Sequence, residues 1–91
     1  MINLKNKKVL ITGATGGIGK ALVSKFSSLD ANILATGTKN EKLDLLKKEF
    51  PNINILKFDI SEHPKIEKFI ENVFSELTGL DVLINNAGVN L

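Results

Sequence analysis

Four short apolar runs alternate with three amphipathic segments along this chain, and no other feature constrains its fold as strongly. The runs are Val9-Leu10-Ile11, Ile33-Leu34-Ala35, residues 53–58 and residues 80–84. Each is short, apolar and bounded by turn-forming residues, as buried strands are. Between them lie residues 17–29, 41–50 and 66–77, where apolar side chains return at helical spacing. Strands separated by single helices call for parallel βαβ units, and right-handed crossovers then give a doubly wound sheet. The predicted class is therefore α/β, a parallel sheet of four strands in the order 3-2-1-4 with three helices.

Within that frame the first helix is expected to bury Ile18, Ala21, Leu22, Phe26 and Leu29, with Lys20, Ser24, Lys25 and Ser28 outside. Gly37-Thr38-Lys39-Asn40 is expected to break the second strand. The second helix presents Leu43, Leu46 and Phe50, and Pro51 ends it. The third presents Ile66, Phe69, Ile70, Val73, Phe74 and Leu77. It is expected to start at Ser61-Glu62-His63-Pro64, where proline and acids suit a first turn, and to close at Thr78-Gly79.

Composition narrows the function classes. Ninety-one residues, 43% hydrophobic and 24% charged, suit one folded domain. No apolar run approaches the ~20 residues of a membrane span. The charged opening segment is followed only by Val9-Leu10-Ile11, too short for the core of a signal peptide. With no cysteine there is no disulfide framework or thiolate metal site, which suits a cytoplasmic location. The twelve basic residues are all lysines, spread along the chain for a net charge of +2. A nucleic-acid binder would cluster them, so neither nucleic acid nor membrane is an expected partner. The single histidine, His63, has no neighbours spaced to make it a metal ligand or a general base.

Chemistry gathers at the predicted strand ends. Thr12-Gly13-Ala14-Thr15-Gly16-Gly17-Ile18-Gly19 joins the first strand to the first helix. Glycines there allow positive φ and close approach of a ligand, and a helix N-terminus attracts an anion. Strand, glycine turn and helix are the context in which such a pattern means nucleotide phosphate. Asn85-Asn86-Ala87-Gly88 follows the fourth strand, so both segments fall at the switch point where doubly wound sheets bind ligands. One of Asn85 and Asn86 is expected to tie that strand to its neighbour. Asp59, beyond the third strand, is either an acceptor for an exocyclic amine or a hydrated loop carboxylate. A carboxylate near the end of the second strand would hold the ribose 2′-hydroxyl of NAD. Residues 33–40 contain none and offer Thr38 and Lys39, which suit a 2′-phosphate.

Thr12-Gly13-x-x-x-Gly17-Ile18-Gly19, Asp59-Ile60 and Asn85-Asn86-Ala87-Gly88 together resemble the classical short-chain dehydrogenase/reductase family, over the whole chain. Gly13, Gly16 and Gly19 also fit the glycine spacing of the extended, epimerase-like branch; the Asn-Asn-Ala-Gly segment favours the classical one. The resemblance implies a partial Rossmann fold and a nicotinamide dinucleotide, NADP(H) being favoured over NAD(H). It implies that Gly13, Ala14, Thr15, Gly16, Gly17, Ile18 and Gly19 wrap the pyrophosphate. Asp59 would accept from the adenine amino group with Ile60 packing nearby, and Asn86, Ala87 and Gly88 would line the adenosine ribose.

The family reduces its substrates with a serine, a tyrosine and a lysine four residues after that tyrosine. This chain has no tyrosine. No catalytic residue is therefore assigned, and residues 1–91 are expected to be the N-terminal dinucleotide-binding half of a longer reductase, truncated before its catalytic part. Leu4-Lys5-Asn6-Lys7, Gly37-Thr38 and Asp59-Ile60 further resemble the 3-oxoacyl-(acyl carrier protein) reductases of fatty-acid biosynthesis. That likeness implies a homo-oligomer that reduces a carrier-linked ketone. Two other readings compete: a stand-alone dinucleotide sensor, and a fragment of an extended-branch enzyme acting on nucleotide sugars. An open fourth strand and uncovered apolar helix faces should make the chain marginally stable and prone to self-association.

Overall fold

Parallel pairing joins the four apolar runs into one sheet. In the computed structural model, which describes residues 3–59 and 66–86, β1 (Lys8–Thr12) lies between β2 (Asn32–Gly37) and β4 (Val82–Asn85). Beyond β2 lies β3 (Asn54–Lys57), so the order is β3-β2-β1-β4, as the crossover argument requires. The connecting helices are α1 (Gly17–Ser28), α2 (Asn40–Glu49) and α3 (Ile66–Leu77).

Register decides which side chains share a face. Val9 is level with Ile33 and Val82, and Ile11 with Ala35 and Ile84. Val9, Ile11, Ile33 and Ala35 thus form one surface, closed by Val23 of α1 and Leu46 of α2. One residue out of step, Leu10 and Leu34 form the opposite surface and meet Phe69, Val73 and Leu77 of α3. β1 and β2 are buried on both faces, which is why they read as continuous apolar runs. Each fully buried side chain, such as Ile11 or Leu34, contributes about 1.5–3 kcal/mol relative to exposure.

Three expectations about packing are corrected. In α1 the inward residues are Gly19 and Val23, flanked by half-buried Leu22 and Phe26, whereas Ile18 and Ala21 are exposed. The rotation of α1 is set by the contact of Gly19 with the preceding turn, not by its widest apolar stripe. At about 100° per residue Val23 and Phe26 fall beside Gly19, and Ala21 falls opposite. Gly37 is the last residue of β2 and does not break it. In α3, Phe69, Val73 and Leu77 are buried, but Ile70 and Phe74 are about half exposed, at 48% and 51%. The apolar stripe of α3 is wider than the strip of sheet beneath it. The residues proposed to start α3, 61–64 with His63, lie outside the described residues.

The end of the sheet away from the glycine turn is closed by one clasp. The Lys8 N–H donates to the Asp81 carboxylate (2.8 Å), and the Asp81 N–H donates to the Lys8 carbonyl (2.8 Å). The Lys8 ammonium donates to the Thr78 carbonyl (2.9 Å). The last turn of α3 carries no basic residue, so β1 supplies the cation that its dipole favours there. Thr78 and Gly79 both have positive φ and end the helix where the sequence indicated.

Candidate functional site

Two glycines of the turn are required by the protein itself. Gly13 has φ 61°, which turns the chain sharply out of β1. At Gly19, an added Cβ would stand 2.2 Å from the Gly13 carbonyl oxygen and 2.7 Å from the Ala14 Cα, so any side chain would push α1 off the turn. The other two are different. Around Gly17 nothing lies within 4 Å of a Cβ position, and at Gly16 the nearest atom is 3.9 Å away. Packing leaves both positions clear, on the exposed start of α1.

Backbone and side-chain bonds hold the turn against the strands on either side. The Ala14 N–H donates to the Thr36 carbonyl (2.9 Å), and the Asn86 amide donates to the Gly13 carbonyl (3.0 Å). The Thr12 hydroxyl donates to Asn85 Oδ1 (3.0 Å). Both asparagines therefore tie β4 to β1, where one was expected to. Above the strand ends opens a cavity of about 360 Å³, lined by Thr12, Gly13, Thr15, Gly16, Thr36, Gly37, Thr38, Phe58, Asp59 and Asn86.

The structure brings together Gly13, Thr15, Gly16, Thr38, Asp59 and Asn86 of the residues the sequence singled out. It places Ala14 in the core, fully buried. Gly19 is buried against the turn, while Gly17 and Ile18 lie exposed in the first turn of α1, outside the cavity wall. Lys39 is exposed too. It precedes α2, where its carbonyl accepts the Leu43 N–H (3.1 Å), and it does not line the cavity. Ile60, Ala87 and Gly88 lie outside the described residues. Thr12 stood in the glycine motif without being assigned to the site, and sequence reasoning missed Thr36, Gly37 and Phe58 as wall residues. They end β2 and follow β3, and the signal was their position just before Thr38 and Asp59. Phe58 is held by stacking on Phe69 of α3, with ring centroids 3.8 Å apart.

The cavity wall combines a helix N-terminus with hydroxyl and carboxylate groups. The start of α1, clear of side chains at Gly16 and Gly17, presents first-turn N–H groups without intrahelical partners to an anion. The Gly16 N–H itself donates to the Gly13 carbonyl (3.5 Å). Hydroxyl groups of Thr36 and Thr38 and the carboxylate of Asp59 line the same cavity from the β2 and β3 ends. Among the described residues no helix is long and apolar enough to cross a membrane, and no group of three metal-ligating side chains occurs.

A doubly wound sheet with such a glycine turn at its switch point defines a dinucleotide-binding fold. Comparison with known proteins makes the class specific. The family model described as short chain dehydrogenase matches residues 7–91, and the chain belongs to that family. An NADP-dependent 3-hydroxy acid dehydrogenase of Escherichia coli is 36% identical over 84 residues, which is 91% of this chain and 34% of that protein. A 3-oxoacyl-[acyl-carrier-protein] reductase of Aquifex aeolicus is 31% identical over 93 residues, 97% of this chain and 38% of that protein. Among solved structures, a metagenomic short-chain oxidoreductase in complex with NADP superposes with a TM-score of 0.86 at 33% identity. That match covers 94% of this chain and 41% of the other. The chain thus spans little more than a third of the length of these curated relatives.

Proposed function

We propose that this chain is the NADP(H)-binding portion of a short-chain reductase acting in the cytoplasm. The observation that carries it is the cavity at the strand ends, with the glycines Gly13 and Gly16 leading into α1 on one side and Asp59 and Thr38 on the other. In this reading the pyrophosphate lies on the turn between Gly13 and Gly19, at the exposed Gly16-Gly17 edge and beside Thr15. Ala14 and Gly19 shape that turn from within. Thr38 and Lys39 meet the 2′-phosphate, the latter by swinging its exposed side chain inward. Asp59 accepts from the adenine amino group with Ile60 against the ring. Asn86, fixed on Gly13, lines the ribose with Ala87 and Gly88. The bound dinucleotide supplies hydride to a carbonyl carbon, and the residues of this chain hold and orient it.

The proton donor of the family's reaction would come from a segment outside these 91 residues, for this chain has no tyrosine. For the substrate we propose the C3 oxygen of an acyl chain, as a 3-oxoacyl thioester on acyl carrier protein, handled by a homo-oligomer. The Aquifex reductase supports the carrier-linked form. The E. coli dehydrogenase equally supports a free 3-hydroxy acid. Both names place the reacting oxygen at the same carbon.

Titration with NADPH and NADH, followed by calorimetry, tests the cofactor reading. NADPH should bind more tightly; tighter binding of NADH would defeat it. A protein comprising this chain together with a Tyr-x-x-x-Lys segment should oxidise NADPH with a 3-oxoacyl thioester. Turnover with the free acid alone would favour the second substrate.

A further inference from the structure

Resting on that cofactor reading, we propose that Thr15 is a specificity-positioning residue. Its side chain crowds position 37 at the end of β2 and so disfavours there the carboxylate that would favour NAD. In dinucleotide folds an acid near the end of the second strand takes the ribose 2′-hydroxyl. Position 37, the last of β2, lines the cavity here. A Cβ added to Gly37 would meet Thr15 Cγ2 at 3.1 Å, Thr15 Oγ1 at 3.4 Å and Leu43 Cδ2 at 3.3 Å. Two elements, the glycine turn and α2, therefore close on one hydrogen atom.

The backbone cannot withdraw to make room. The Gly37 carbonyl accepts the Phe58 N–H (2.9 Å), and the adjacent Thr36 carbonyl accepts the Ala14 N–H (2.9 Å). Leu43 is 1% exposed and packed on all sides. Thr15 is different: it is half-buried and borders both the main cavity and a second cleft lined by Lys20, Lys42 and Leu45. It is the group that can give way. Positions 15 and 37 are thereby coupled, and an acid at 37 is accommodated more readily when the side chain at 15 is cut back.

The test is a cycle of Gly37→Asp, Thr15→Ala and the double variant in the 91-residue chain. Melting is followed without ligand, and NADPH and NADH affinities by calorimetry. Gly37→Asp alone should melt lower than wild type and bind both nucleotides more weakly. The double variant should melt above Gly37→Asp and shift the NADH-to-NADPH affinity ratio toward NADH by about tenfold or more, the effect of one hydrogen bond to a charged group. Full NADH preference with unchanged melting in Gly37→Asp alone would overturn the proposal, as would strictly additive melting shifts. A wild-type chain that binds neither nucleotide would overturn the cofactor reading and this proposal together. NADPH binding by wild type without coupling between 15 and 37 would overturn this proposal alone.

Discussion

On one face of the sheet α1 and α2 lie side by side, and Val23 and Leu46 complete a core with Val9, Ile11 and Ile33. On the other, α3 is the one helix among the described residues that covers Leu10 and Leu34. Beyond it a groove of about 360 Å³ is left between α3 and β4, with Ile70, Phe74 and Leu83 half exposed along it. The chemistry of the two surfaces is alike; the difference lies in how many helices reach each. A strand next to the first crossover acquires cover on both sides, whereas β4 follows a single crossover and has one half-covered face. The closed face and the strip of sheet under α3 should tolerate little, and the open groove beside β4 a great deal.

Gly19→Val is the largest expected break in that contrast. The atoms it would strike belong to the backbone of Gly13 and Ala14, which cannot rotate away. A loss of about 3 kcal/mol or more is expected, read as a lower denaturation midpoint together with lost nucleotide binding. Next come Ile33→Ala on the closed face and Leu34→Ala under α3. Both side chains are essentially fully buried, so each should lose about 2–5 kcal/mol in urea unfolding. A much smaller loss at Leu34 would mean that α3 seals its strip of sheet poorly.

Smaller effects sharpen the comparison. Lys8→Met removes the cation at the C-terminus of α3 and should reduce stability by about 0.5–1 kcal/mol, less at high salt. Leu83→Lys, on the open groove, should change unfolding by no more than about 0.5 kcal/mol. The same change should lower the concentration-dependent size seen by light scattering, since it breaks an exposed apolar patch. A large destabilisation at Leu83 would show that the groove is covered in solution.

Sheet order, strand number and the gathering of motif residues at the strand ends were legible in the sequence. They depend on alternation, on crossover handedness and on glycine spacing, all local or topological properties. Within the site, Gly13, Thr15, Gly16, Thr38, Asp59 and Asn86 were found by motif and lie on one cavity. Residues that enter only because neighbouring strands end level with one another escaped: Thr36, Gly37 and Phe58 carry no motif of their own. The helix faces were read with less success, as Ile18, Ile70 and Phe74 show.

The sequence by itself determined that this chain makes a parallel α/β sheet with a glycine turn at its switch point, because periodicity and turn chemistry are written in adjacent residues. Only the tertiary structure decided what each glycine is for. Gly13 serves the backbone and Gly19 the approach of α1, Gly37 answers to Thr15 and Leu43, and Gly16 and Gly17 stand clear. The roles of Gly19 and Gly37 depend on atoms of other turns and elements that meet them at 2 to 4 Å, and steric exclusion at that range follows from packing, not from spacing.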